Sequence, residues 1–147
     1  MTTTTAVRTE GWYTERRWLG YAGLIPFVAC TAVLVFANDP IWRQIASDTM
    51  LNYAAVIASF LGAVHWGFAA GVEDDTTVAR LRWGVMPALI AWVLLAVAPD
   101  SLAFAGFAVL FGLILSADRY FLPVLDDAYR QLRLQLSSVV VAALATA

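Results

Sequence analysis

Apolar residues along the chain form five long stretches that are separated by short polar segments. They predict helices at about residues 18–37, 53–72, 81–98, 101–117 and 127–147. A helix rises about 1.5 Å per residue, so about 20 apolar residues cross a hydrocarbon core of about 30 Å. The pattern therefore predicts an all-α polytopic membrane bundle. We expect a single transmembrane domain over residues 18–147, after a juxtamembrane tail over residues 1–17 that lacks the apolar centre of a signal peptide.

Helix-breaking and acidic residues set the predicted bounds. Pro26 is expected to kink the first helix, and residues 38–40 end it before a short interfacial helix that contains residues 41–45. The acidic residues 73–75 end the second span, because carboxylates are costly in lipid. Pro99 leaves room only for a tight hairpin between the third and fourth helices.

The last helix has the weakest pattern. Its apolar part, residues 134–147, covers only about 21 Å, so it must include its polar start to cross the bilayer. Asp126 is a candidate N-cap, and Tyr129, Arg130 and Arg133 suit the interface. The alternative is a re-entrant or surface-lying helix.

The arginines are distributed unequally over the two predicted sides of the membrane. Arg43 alone lies on one side. The other side holds eight, which are Arg8, Arg16, Arg17, Arg80, Arg82, Arg119, Arg130 and Arg133. The positive-inside rule then predicts that the N-terminus is inside and the C-terminus outside.

Composition excludes several classes of protein. Hydrophobic residues make up 61% of the chain and charged residues 14%, which is too apolar for the surface of a soluble domain of this size. The net charge is −2 and there is no lysine, so we expect no nucleic-acid partner. The single cysteine, Cys30, excludes an intramolecular disulfide, and no metal site is predicted.

Three segments carry a family resemblance. LGYAGLIPF (residues 19–27), YAAVIASFLGAVHWGFA (residues 53–69) and WGVMPALIAWVLL (residues 83–95) are similar to the family known as domain of unknown function 3429. The resemblance continues through Asp118 to YRQLR at residues 129–133. It implies a multi-pass protein of the bacterial inner membrane with relatives in the mitochondrial inner membrane, and it implies no catalytic residues.

His65, the only histidine, lies near the middle of the second predicted span. An ionisable residue at that depth is a candidate functional site. It can be a hydrogen-bonded structural residue, a proton-handling group, or an axial ligand of a haem or pigment. The neighbouring Gly62, Gly67 and Gly71 form a small-residue pattern that predicts close packing of another helix.

Two further groups could bind a ligand. Trp66 and Trp92 are deep enough in their spans to line a quinone or lipid cavity around His65. A set of charged residues at the inner mouth could bind a lipid headgroup or form loop ion pairs, of which we favour the pairs. That set is Arg80, Arg82, Asp118, Arg119 and Arg133.

The sequence shows no catalytic motif and, apart from Asp127 at the start of the last helix, no Asp or Glu within the predicted spans. We therefore expect an accessory subunit or assembly factor of a larger membrane complex, with a membrane-protein partner or a homo-oligomer in the lipid bilayer. The first alternative is a quinone-, haem- or pigment-binding protein that uses His65. The second is a small-molecule or proton transporter.

Overall fold

The apolar stretches fold into helices, as predicted. The computed structural model describes residues 14–71, 74–121 and 127–147, and these residues hold five helices and no strand. The helices are α1 (Thr14–Phe36), α2 (Pro40–Gly71), α3 (Thr77–Val97), α4 (Asp100–Phe121) and α5 (Asp127–Ala145). The candidate cap Asp126 lies outside the described residues.

Helix α1 is interrupted where the sequence predicts a kink. A turn at Gly23 and Leu24 separates its first part from Ile25–Phe36, and Pro26 occupies the first turn of that second part. Proline has no N–H to continue the helical ladder, so a break here is expected. The hydroxyl of Tyr53 donates to the Gly23 carbonyl at 3.0 Å, which gives the turn a hydrogen bond that lipid cannot supply.

The predicted interfacial helix before the second span is not a separate element. Helix α2 runs without a break from Pro40 to Gly71, because no proline or glycine stands between Pro40 and Gly62. Its 32 residues measure about 48 Å, which exceeds the hydrocarbon core. The first turns carry an exposed polar row in which Gln44 donates to Asp48 at 3.0 Å, as suits a part of the helix that lies outside the lipid.

Helix α4 ends later than predicted. It continues past residue 117 to Phe121, so Asp118 lies inside a candidate membrane helix. The prediction that no acidic residue lies within a span was therefore wrong. The helix continues because nothing between Ala117 and Phe121 breaks it, and Arg80 Nε donates at 3.1 Å to the Phe121 carbonyl at its end.

Four of the described helices, α1 to α4, are long and apolar enough to cross a membrane, and α5 is not among them. Large apolar side chains cover the outside of the bundle, including Val56, Phe60, Leu89 and Val109. Such an exterior suits lipid rather than water. The chain is therefore a polytopic helical membrane protein.

Contacts between helices give their directions. Trp66 Nε1 donates to the Leu81 carbonyl at 2.8 Å, and the hairpin connection makes α2 and α3 antiparallel. Helix α5 runs parallel to α1, because Tyr21 donates to Gln135 at 2.9 Å at one end while Leu34 and Leu144 line one cavity at the other. Helix α5 thus runs beside α1 from Tyr21 to Leu34. The inside and outside assignment of the termini stays a prediction.

The core combines large side chains in the middle with a glycine contact nearer the end of the bundle where α2 ends and α3 begins. Phe27 meets the rings of Tyr53 and Phe111 edge-on, with centroids 5.1 and 6.3 Å apart, which joins α1, α2 and α4. Between α2 and α3, a Cβ added to Gly62 would lie 2.6 Å from the Gly84 carbonyl oxygen. Only glycine allows the two backbones to come this close.

Candidate functional site

His65 lies on the inward face of α2, one turn after the contact between Gly62 and Gly84. Its side chain has no exposed area. Position 65 follows Ala58 and Gly62 in the row of buried α2 residues, so the helical period turns the imidazole into the bundle. The Phe121 ring packs against it in a T-shaped arrangement, with centroids 6.1 Å apart and ring planes at 90°.

Asp118 reaches His65 from α4. Its Oδ1 lies 3.5 Å from His65 Nε2, and its side chain is nearly fully buried. The distance is about 0.5 Å longer than a normal N–H···O hydrogen bond. Neither imidazole nitrogen, nor Oδ1, makes a hydrogen bond of normal geometry with a described residue.

Arg133 reaches the other oxygen of the same carboxylate from α5. Its Nε donates to Asp118 Oδ2 at 2.8 Å, and its terminal nitrogen donates to the same oxygen. Both side chains are buried. His65, Asp118 and Arg133, which we call the buried triad, thus join three different helices.

The charges of the buried triad balance. The Asp118 carboxylate and the Arg133 guanidinium cancel, so the triad is neutral when His65 is neutral. A single buried charge would be expensive, whereas a paired and hydrogen-bonded one can be kept inside a bundle. Because Arg133 uses Oδ2, Oδ1 is the oxygen that can share a proton with the imidazole.

The charged residues of the predicted inner-mouth set take part in separate interactions. Arg80 forms an ion pair with Asp74 and lies over the Phe68 ring at 5.0 Å from its centroid. It thus links Asp74, which precedes α3, to the last turn of α2. The hydrogen bond from Arg80, followed by those from Thr76, lowers the pKa of Asp74 to about 2. Arg82 is exposed on the surface. Among the arginines considered for Asp118, the structure pairs Arg133 with it.

The two candidate tryptophans lie away from His65. Trp66 is 51% exposed and Trp92 is 68% exposed, whereas His65 is 0% exposed. Since Gly62 lies level with Gly84 in antiparallel helices, Trp92 is about 16 Å from the level of His65 along the bundle. The structure does not bring the two indoles and the imidazole into one cavity.

A haem or pigment does not fit at His65. An axial ligand must present a free ring nitrogen to a cavity. Here the imidazole is fully covered, and Nε2 faces Asp118 at 3.5 Å.

The predicted glycine seam has two different environments. Gly62 is buried against Gly84 and Pro87, as close helix packing requires. Gly67 and Gly71 are exposed, and a Cβ added to either would meet no atom within 4 Å. The second half of the seam is therefore open to the outside of the bundle.

The burial of Asp118 and Arg133 and their contact with His65 were not predicted from the sequence, although a periodic signal exists. Asp118 continues the buried row of Phe111 and Ile114 on α4. Arg133 begins the buried row of α5 that continues through Ser137 and Val140. Helical spacing alone predicts that both charged residues face the interior of the bundle.

The fold and the site define a class, a polytopic helical membrane protein with a buried ionic triad. The family model described as "Protein of unknown function (DUF3429)" matches residues 13–147, and the chain belongs to this family. A relative in Xenopus tropicalis, named Transmembrane protein 69, is 34% identical over an alignment of 131 residues, which covers 84% of this chain and 49% of that protein. The chain thus spans about half the length of this relative. No solved structure matches.

Proposed function

We propose that this protein is an accessory subunit or assembly factor that binds a transmembrane helix of a larger membrane complex. The observation that carries the proposal is the open small-residue surface of α2. We call this surface the α2 glycine face and define it as Ala63, Gly67 and Gly71. All three are exposed, and the two glycines have open space where a side chain would be.

The spacing of the α2 glycine face suits a helix partner. Its residues follow one another at intervals of four, so they lie in one row along the helix. Within a membrane, such rows let two backbones approach closely, and packing replaces the hydrophobic effect as the driving force. The exposed Phe60 and Val56 extend the row and can pack beside the partner.

The contact between Gly62 and Gly84 illustrates this type of packing within the chain. There the absence of side chains lets α3 approach α2 closely. Gly67 and Gly71 offer the same absence of side chains on another side of α2. We assign the partner to another membrane protein, located with this one in the bacterial inner membrane, and we treat a second copy of the chain as an outcome to be tested.

The experiment is native affinity purification of the full chain in mild detergent, followed by mass spectrometry. Gly67→Leu fills the α2 glycine face and should reduce the recovered partner more than tenfold. Gly112→Leu is the matched control, because Gly112 on α4 also has no atom within 4 Å of an added Cβ. It should recover the partner as the wild type does.

The outcomes are distinct. A wild-type protein that is monomeric and recovers no partner would overturn the proposal. A wild-type protein recovered only with copies of itself would replace the accessory role with self-association. Equal loss in both leucine variants would mean that the α2 glycine face is not the docking surface.

A second candidate function is proton handling by the buried triad. The 3.5 Å separation between His65 Nε2 and Asp118 Oδ1 favours it, because a small rotation of either side chain makes a hydrogen bond along which a proton can transfer. Liposomes that contain the protein and a trapped pH indicator test it. Proton uptake should be lost in His65→Gln and kept in Cys30→Ala, which alters a buried residue outside the triad. An absorption spectrum of the same sample would reveal any coloured cofactor.

A further inference from the structure

A groove between α4 and α5 combines a cationic mouth with an apolar floor. Its volume is about 380 Å³, within the range of small-ligand sites. The lining residues include three arginines, at positions 119, 130 and 133, and one acid, Asp118. Their net charge is therefore +2, from three positive charges and one negative charge.

The charges in the groove are not equivalent. Arg133 is already paired with Asp118 within the buried triad, so this pair contributes no net charge. Arg119 is exposed and forms no ion pair with a described residue. Arg130 lies 3.6 Å from Asp127, whose side chain is fully exposed, so that pair is weak and screened by solvent. Two guanidinium groups at the mouth are thus available to an anion.

The depth of each lining residue follows from the two helices. Leu115 lies one turn before Arg119 on α4, and Leu134 lies one turn after Arg130 on α5. Since α4 and α5 are neighbours joined by a short connection, the two leucines lie about 6 Å deeper in the bundle than Arg119 and Arg130. The groove therefore carries its net charge where it opens, and its deeper part is lined by the two leucines beside the neutral pair of Asp118 and Arg133.

We propose that this groove binds an anionic phospholipid. Arg119 and Arg130 hold the phosphate of the headgroup by charge-assisted hydrogen bonds, and the first part of an acyl chain lies along Leu115 and Leu134. The arginine-rich end of the bundle is the predicted inner side, where anionic lipids attract basic residues. A free phosphate ion would use the arginines but would make no contact with the apolar floor.

The test is lipid binding by the purified full chain. The protein in mild detergent is titrated with short-chain phosphatidylglycerol and with short-chain phosphatidylcholine, and bound lipid is counted by native mass spectrometry. The wild type should prefer phosphatidylglycerol. Arg119→Gln and Arg130→Gln should each reduce this preference about fivefold, in line with about 1 kcal/mol per basic residue near a membrane surface.

Arg82→Gln is the matched control. It removes the same charge from an exposed position at the same end of the bundle, but outside the groove. It should leave the preference within about twofold of the wild type. An equal loss in all three variants would overturn the proposal, because it would indicate general attraction to the basic end.

Two further outcomes are decisive. Equal binding of the two lipids by the wild type would overturn the proposal. Displacement of phosphatidylglycerol by inorganic phosphate at equal concentration would also overturn it and would assign the groove to a free anion. Leu134→Gln should weaken phosphatidylglycerol binding without changing the affinity for inorganic phosphate, because it alters only the apolar floor.

Discussion

The buried pair of Asp118 and Arg133 should make a large and strongly coupled contribution to stability. Removing one member of a buried ion pair leaves an uncompensated charge and costs about 3–5 kcal/mol. Both side chains are buried here, and the two hydrogen bonds from Arg133 end on one carboxylate oxygen. We therefore expect Arg133→Met and Asp118→Asn each to lower the free energy of unfolding by about 3–5 kcal/mol.

The double variant distinguishes the contribution of the ion pair to stability from the contribution of each residue alone. With both charges removed, no charge is left unpaired, so the double variant should cost no more than either single one. The resulting coupling energy is at least about 3 kcal/mol, at or above the upper end of the range for residues in contact. Arg82→Met, which alters an exposed arginine, should stay within about 0.5 kcal/mol of the wild type.

The assay is reversible unfolding in mixed micelles with increasing denaturing detergent, followed by tryptophan fluorescence. Single-variant costs that simply add in the double variant would refute the coupling. A cost of Arg133→Met no larger than that of Arg82→Met would refute the burial of the pair.

Three further predictions use the same unfolding assay. Gly62→Ala should lower the free energy of unfolding by about 2 kcal/mol or more, because the added Cβ would lie 2.6 Å from a backbone oxygen. Gly112→Ala, the control, should be neutral or slightly stabilising. Equal costs of the two variants would contradict the close contact between α2 and α3. Tyr53→Phe should cost about 1 kcal/mol by removing the hydrogen bond to the α1 turn, and an unchanged stability would contradict that bond. The Asp74 pKa is lowered to about 2, so its pairing with Arg80 stabilises the fold above about pH 4 and the stabilisation is lost as the pH falls through about 2. Asp74→Asn should therefore flatten the stability profile in that interval, and an identical profile would contradict the pairing.

Local signals in the sequence predict most of the fold. Pro26 fixes the interruption of α1, and Pro99 fixes the hairpin between α3 and α4, because proline acts on the backbone within one turn. The start of α2 is also predicted by a local signal, the proline at position 40. Its continuation into the span follows from the absence of breakers, although the apolar and aromatic residues within 41–45 suggested a separate interfacial helix.

The candidate site depends on distant contacts that no local pattern contains. The apolar stretch of α4 stops at residue 117, but the helix continues because Arg80 covers its end and Arg133 neutralises Asp118. The placement of Trp92 depends on the register between α2 and α3, which is set where Gly62 meets α3. Local periodicity predicts which side of its helix a residue lies on. Its contact partner on another helix can be identified only in the packed bundle.

The most direct test of the proposed function is crosslinking in native membranes. Gly67→Cys and Gly112→Cys are each made in a Cys30→Ala background, labelled with a short maleimide that carries a photoreactive group, and illuminated. Both positions are open on the outside of the bundle. We expect a discrete crosslinked partner protein from position 67 and none from position 112. The same products from both positions, or no product from position 67, would contradict it.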